Sequence, residues 1–252
     1  MLLLALDTSS SAITVALHDG ARVVAESTVI DARAHAEHLA PGIRSVLRDA
    51  GRTAAEVTEV VVGRGPGPFT GLRVGLVTAA VFSSAVGAPV WGICSLDALA
   101  FQGLAQHPGA CAGGVLATGD ARRREVYWAR YLPDPPGAWS PPTGAQVGAL
   151  RRVDGPAVGP AHSLSDRPSD PLPDRPDHTS RVVPALPVLG RGGLLYPEAF
   201  GVHLPPLDVS AAALAELASW RAGQGLPHEP ATPLYLRRPD ARPAGERKRV
   251  LS

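Results

Sequence analysis

Lysine is all but missing from this chain: the single one, Lys248, lies near the C-terminal end. Chemistry that needs an internal lysine, such as a Schiff base with a pyridoxal cofactor or a Walker-type grip on phosphate, is therefore excluded. Arginine carries the basic charge instead. With Lys+Arg 24 against Asp+Glu 23 the net charge is only +1, so no long-range field marks a nucleic acid or an anionic membrane as partner. Cysteine is equally scarce. Cys94 and Cys111 stand at no metal-ligand spacing and fit a reduced, cytoplasmic protein. A long unbroken apolar run is also lacking. The stretch Leu76 to Ile93 carries Thr78, Ser83 and Ser84 and is interrupted by Gly87, Pro89 and Gly92, which reads as helix, turn and strand rather than a membrane span. The apolar start Met1–Leu6 is too short for a signal peptide and passes directly into a strand pattern.

Glycine and proline are plentiful, at 27 and 26 of 252 residues, and they punctuate a regular order of elements. Strands are predicted over Leu2–Leu6, Ala12–Leu17 and Arg22–Val29, with a hairpin turn at His18-Asp19-Gly20. Leu39, Ile43, Val46 and Leu47 have helical spacing within 34–50, closed by Gly51. Strand Val60–Gly63, helix Gly71–Val86, strand Val90–Ile93 and helix Ser95–Gln106 follow. Three antiparallel strands and then alternating helices and strands is the ribonuclease-H-like order.

The same beginning restarts after Pro108, with Gly114–Thr118, a turn at Asp120–Arg123 and strand Glu125–Tyr131. Two such lobes make an α/β, two-lobed, actin/hexokinase-like (ASKHA) fold. The expected division is an N-terminal lobe at 1–106, a reduced C-terminal lobe at 107–238 and an Arg-rich tail at 239–252. Pro133–Pro187 contains about half of the prolines and reads as a surface excursion, with Gly148–Val153 and Val158–His162 as short pieces in it. Val209–Ala222 is a helix with Asp208 or Ser210 as its cap. Pro233–Arg237 is an end strand or strap.

Several groups of residues carry possible chemistry. Val60–Gly75 gives a strand, a glycine–proline loop and a helix start, a layout that serves either an anion or the close approach of two backbones. Asp7, Thr8 and Ser9 at the first hairpin suit a metal–phosphate group, or simply satisfy a turn. Asp120 is their counterpart in the second lobe, so Asp7 and Asp120 together with Gly65 and Gly67 form a candidate nucleotide-facing set. Arg122, Arg123 and Arg124 fill that second turn where a nucleotide site favours glycine. They fit equally an exposed hairpin or an anion contact. Gly190–Gly193 is a candidate adenosine-side loop. His35 and His38 have a ligand-like spacing but no third ligand nearby. The helix Gly71–Val86 is apolar around nearly its whole circumference, so its outer face requires cover from a neighbouring helix or a partner.

Leu4–Ser9, His35–Pro41, Val61–Gly75, Asp120–Tyr127 and Pro233–Arg238 together resemble the TsaB family, also called YeaZ. That family is the bacterial non-catalytic partner in tRNA threonylcarbamoyladenosine synthesis. The resemblance implies pairing with the paralogue TsaD, which transfers threonylcarbamoyl to N6 of the adenosine beside the anticodon, with the ATPase TsaE joining. It implies no catalytic residue and no metal or cofactor here beyond a weakly held or interface nucleotide. It also implies an indirect link to tRNA through the complex, with direct contact by the Arg-rich tail left open; the self-complementary helix face points to a homodimer when the chain is alone. Ser95 and Leu99 stand where TsaD carries metal-binding histidines. The family's helix-mediated interface would involve His38, Leu39, Arg73, Val77, Thr78 and Phe82. Arg124 departs from the family, whose members often have glycine there. The alternative from a different class is an autonomous ATPase or kinase using Asp7 and Asp120. A metallopeptidase is a third reading and would require a metal site.

Overall fold

A computed structural model describes residues 1–133, 146–165, 186–227 and 229–237. The tail 239–252 and much of the proline-rich middle lie outside the described residues. The first lobe begins with β1 (Leu3–Asp7), β2 (Ala12–His18) and β3 (Val23–Ile30). It continues through α1 (His35–Asp49), β4 (Glu59–Gly63), α2 (Phe69–Val86), β5 (Val90–Ile93) and α3 (Ser95–Gln106). After the short α4 (Pro108–Cys111), the second lobe has β6 (Val115–Asp120), β7 (Glu125–Pro133), β8 (Gln146–Val147) and β9 (Leu150–Pro160). The short α5 (His162–Ser165), β10 (Val188–Leu189), α6 (Arg191–Leu195) and β11 (His203–Leu204) follow. α7 (Ala211–Gly223) and β12 (Glu229–Pro230) then return to the first lobe.

Each lobe is built on a six-stranded sheet, ordered β12-β5-β4-β1-β2-β3 in the first and β11-β10-β6-β7-β9-β8 in the second. The correspondence is direct. β1, β2 and β3 form an antiparallel meander with β4 parallel to β1, and β6, β7 and β9 repeat it with β10 parallel to β6. The restart seen after Pro108 is thus a second copy of the first lobe's sheet.

Alternation along β1 sets the layers. Leu2, Leu4 and Leu6 point to one face, where Val60, Val62, Leu39, Ile43, Val46 and Leu76 meet them from β4, α1 and α2. Leu3 and Ala5 point to the other face and share a core with Leu96, Leu99, Tyr131, Leu189, Leu214 and Leu217. α3 and α7 therefore lie between the two sheets and join the lobes. Among the described residues, the outer face of the second sheet has a small cluster around Leu116, Val126, Trp128 and Val188, covered by four- and five-residue helices. Among the described residues, α1 and α2 have no full-length equivalents in this lobe.

Two differences from the sequence expectation, and one choice it left open, have local causes. β9 lies within the supposed proline-rich excursion, yet pairs with β7 along most of its length. Register shifts opposite Trp128–Tyr131 and the left-handed Gly155, at φ 81, interrupt its apolar alternation. α2 starts at Phe69, two residues before Gly71, because Leu72 N–H already bonds the Pro68 carbonyl. Ser210, not Asp208, caps α7: its Oγ accepts from Ala213 N–H at 3.3 Å.

The central layer also holds a buried ion cluster. Asp97 on α3, fully buried, accepts from Tyr131 Oη at 2.8 Å, Arg152 at 2.7 Å and Arg221 at 2.9 Å. One carboxylate thus links α3, β7, β9 and α7. Burial pushes the Tyr131 hydroxyl well above its usual range, with Asp97 adding to the shift, so it stays a donor. The neighbouring Cys94 thiol is pushed up to about 12, by burial first and Asp97 second. It is neutral at physiological pH and is no nucleophile. Removing a shared counter-ion leaves buried charge unpaired. Asp97→Ala is expected to cost about 3–5 kcal/mol, and Arg152→Gln distinctly less, because Arg152 keeps partial solvent access. Urea unfolding measures both; a cost for Asp97→Ala under about 1 kcal/mol would show that the cluster does not organise the lobe junction.

Candidate functional site

Two openings meet at the glycine–proline loop. The inter-lobe cleft, about 660 Å³ with its open mouth included, is lined by Ser9, Ser10 and Ser11 from the first hairpin and by Thr118, Asp120 and Arg122 from the second. Ser95, Leu99, Tyr127 and the Arg191–Asp208 pair complete its walls. A second groove, about 650 Å³ counted the same way, lies on the other side of the β6–β7 hairpin, between Gly67–Phe69 and the terminal strap Tyr235–Arg237. Pro68, Asp120, Arg122 and Tyr127 face both openings.

Asp7 does not face the cleft. Its Oδ1 accepts from the Ser9 N–H and Ser9 Oγ, both at 2.7 Å, and Oδ2 accepts from Ser95 Oγ at 2.6 Å. Ser95 Oγ in turn accepts from Gly65 N–H at 3.1 Å. Asp7 thereby ties the end of β1 to the loop and to the start of α3. Burial raises its pKa, and the hydrogen bonds from Ser95 and Ser9 only partly oppose the shift.

Close packing surrounds this clamp. A Cβ on Gly63 would overlap Asp7 Oδ2, one on Gly67 the Ser9 carbonyl, one on Gly71 the Thr8 carbonyl and one on Gly75 Thr8 Oγ1. Thr8 Oγ also donates to the Gly71 carbonyl at 2.8 Å. Glycines four apart therefore lay the loop and the first turns of α2 directly on residues 7–9. The loop serves close approach rather than a phosphate cradle, and its Gly65 N–H is already engaged.

The candidate nucleotide-facing set is accordingly split. Ser9 and Asp120 line the inter-lobe cleft, Gly67 faces the second groove, and Asp7, Thr8 and Gly65 line neither. Gly190 and Gly192 pack onto Thr118, so the 190–193 loop closes on β6. His35 is buried, with Nε2 3.0 Å from the Ser10 carbonyl, while His38 is half-buried one turn later. Among the described residues, no three His, Cys, Asp or Glu side chains group closely enough to hold a metal ion. Ser95 and Leu99, in the positions suggested for metal-binding histidines, supply one engaged hydroxyl and one aliphatic chain.

The β6–β7 turn is strained. Arg122, Arg123 and Arg124 have φ of 61, 54 and 61, and Glu125 N–H bonds the Arg122 carbonyl at 3.0 Å. Arg123 and Arg124 thus occupy the centre of a type I′ turn, where glycine or asparagine is at ease. Each left-handed non-glycine residue costs on the order of 1–3 kcal/mol. The turn is held in place by Arg122 N–H on Asp120 Oδ1 at 2.8 Å, and by Arg237, which donates to the Ala121 carbonyl and to Glu125 Oε2.

The remaining site residues concern the helix surface. α2 is long and apolar enough to cross a membrane by length and composition, yet Gly71, Leu72, Gly75, Leu76 and Ala79 pack it onto the first sheet. Its opposite face is covered by none of the described residues. Arg73, Val77, Ala80, Val81 and Ser84 are exposed in one stripe, with Val77 at 57% and Val81 at 64%. Thr78 and Phe82 are half-buried beside it. Leu39 must be withdrawn from the interface set, because at 1% exposure it belongs to the core under α1. Ala80 and Val81, at the i+3 and i+4 steps from Val77, share its face of the helix and are exposed with it.

Comparisons with known proteins give four informative likenesses. The family model for TsaD, tRNA N6-adenosine threonylcarbamoyltransferase, matches residues 23–134. An uncharacterized protein of Mycobacterium tuberculosis is 39% identical over 243 residues, 95% of this chain and 93% of its own length. The tRNA threonylcarbamoyladenosine biosynthesis protein TsaB of Escherichia coli is 36% identical over 139 residues, covering 55% of this chain and 58% of that protein. A crystal structure of a Pseudomonas aeruginosa protein, described as similar to the peptidase YeaZ, superposes with a TM-score of 0.71 at 30% identity, over 94% of this chain and 99% of that one.

Two outcomes test the clamp. Gly63→Ala is expected to destabilise the chain by more than about 3 kcal/mol, because a methyl group cannot share space with the Asp7 carboxylate. Asp7 itself gives a pH signature. Its folded carboxyl keeps a proton to higher pH than the unfolded one, so stability falls as pH rises from about 4 through the folded pKa. Asp7→Asn should abolish that slope, as read from urea unfolding across the interval.

Proposed function

The chain belongs to the TsaB/YeaZ family, and on that premise we propose that it is a non-catalytic scaffold subunit in tRNA threonylcarbamoyladenosine synthesis. It docks a TsaD-type transferase through α1 and α2, with a TsaE-type ATPase joining, and acts in the cytoplasm. Left alone, it pairs with itself through the same face. The first lobe carries this contact; the second-lobe sheet supports it, and α7 and β12, inside the 107–238 span expected from sequence, belong with the first lobe instead.

The observation that carries the proposal is the uncovered stripe of α2. An apolar helix face in water is unfavourable at roughly 25 cal/mol per Å² of apolar surface, and contiguous exposed apolar patches mark contact sites. Arg73 and His38 give that face a polar rim, the usual anatomy of an interface. Thr78 and Phe82, already half-buried, would be closed over by the partner helix. The autonomous ATPase reading finds less support: Asp7 is committed to Ser9 and Ser95, and Asp120 to the arginine turn.

Val77→Asp and Val81→Asp are each expected to weaken co-purification with the TsaD-type partner at least tenfold, since burying an unpaired carboxylate costs several kcal/mol. Each variant should also turn the free protein from dimer to monomer, while the fold of the single chain stays intact by circular dichroism, because both side chains are exposed on it. Asp120→Asn should leave the complex intact. Normal partner affinity in both valine variants would rule out this docking face, and a tRNA modification assay on the reconstituted complex gives the functional readout.

A further inference from the structure

The groove between the Gly67–Phe69 loop and the terminal strap combines two chemistries seldom found together on a surface by accident. Phe69, Tyr235 and Arg73 form a stack: the two rings lie 5.1 Å apart at 33°, and the Arg73 guanidinium sits 5.2 Å from the Phe69 centroid. Tyr235 is 44% exposed and Phe69 38%, so planar aromatic surface remains open within the groove. Arg122 and Arg237 line the same groove, and Arg124 is exposed on the turn that carries Arg122. Among the described residues the carboxylates here are Asp120, held by Arg122, and Glu125, held by Arg237. Arg122, Arg124 and Arg237 outnumber them, leaving a positive edge beside the rings.

The backbone adds an independent argument. A turn that only had to reverse the chain would place glycine at left-handed positions, whereas this one keeps three consecutive arginines there. Arg237 and Asp120 brace the strained turn from below, so its arginines project from a fixed base instead of a loose loop.

We propose that this groove binds single-stranded nucleic acid, with a base stacked on Tyr235 and the flanking phosphates on Arg122 and Arg124. Stacking on an aromatic face beside arginines is how unpaired strands are held with little sequence preference. The row of arginines continues past the groove onto the hairpin tip, which suits consecutive phosphates of a strand better than one free mononucleotide. The site lies outside the inter-lobe cleft, shares only its wall, and needs no partner subunit. It goes beyond the scaffold role and is tested on the isolated chain.

Fluorescence anisotropy with short labelled single-stranded RNA, single-stranded DNA and duplex RNA provides the test, with unlabelled AMP as competitor. Single strands should bind in preference to duplex, with an affinity that falls as salt rises; RNA and DNA compared at equal length show which strand is the natural source. The double variant Arg122→Gly/Arg124→Gly should weaken binding at least tenfold and lower the salt slope by about 2. It should also raise Tm by about 2–4 °C, because glycine relieves the left-handed strain, so lost binding cannot be attributed to unfolding. Tyr235→Ala should weaken binding at least fivefold and Tyr235→Phe should retain it, while Arg44→Ala on the distant α1 surface should have no effect. Absence of binding, a preference for duplex, displacement by AMP of a strand that Tyr235→Ala still holds, or equal losses in Arg44→Ala and the turn variant would each overturn the proposal.

Discussion

The structure depends on the contact between α2 and the turn that ends β1. Gly63, Gly67, Gly71 and Gly75 bring the loop and helix against Asp7, Thr8 and Ser9 so closely that no side chain fits between them. Asp7 completes the contact from inside, with both oxygens engaged. This fixes the depth and direction of α2, and so decides which of its residues reach solvent. A helix seated on small residues sits low on its sheet and needs only a narrow covered face. The remainder, including Val77 and Val81, is left outside. The exposed apolar stripe is thus a geometric consequence of the glycine row.

Much of this was legible in the residues. The strands of the first lobe, its helices and the repeat after Pro108 all follow from alternation, helical spacing and turn chemistry, each a local signal. Two things were not. β9 could not be read because Gly155, Pro156 and Pro160 disturb its pattern; its pairing with β7 is a tertiary fact that overrides local preference. Asp7 could not be assigned either, because a carboxylate after a strand looks the same in sequence whether it points into a cleft or back towards Ser95. The deciding partner lies 88 residues away, beyond any motif. Leu39 shows the smaller limit of helical phase: an error of one position turns a side chain by about 100° and exchanges surface for core.

Asp97 plays at the lobe junction the part that Asp7 plays in the first lobe. Two acids, both fully buried, hold elements from distant parts of the chain, one through hydroxyls and a backbone N–H and the other through two arginines and a tyrosine. Pairing of this kind is weak as a source of net stability but strong as a constraint, since a charge left without its partners in the interior is costly. The small second lobe, with little apolar cover over its outer sheet face, is held in register with α3 and α7 by Asp97 together with the apolar core around it.

Asp7 also limits what the inter-lobe cleft can do. To meet a metal ion or phosphate there, its carboxylate would have to release Ser9 and Ser95 and turn away from Gly63. That would remove the groups that hold the glycine loop against β1 and loosen the seat of α2. The carboxylate therefore has two incompatible uses: it can serve a ligand in the cleft or fix the helix that presents the exposed stripe. Full burial, short hydrogen bonds from three donor groups and a raised pKa all belong to the second use. The hydrogen bonds that hold Asp7 against Ser9 and Ser95 are therefore the same ones that keep its carboxylate out of the cleft.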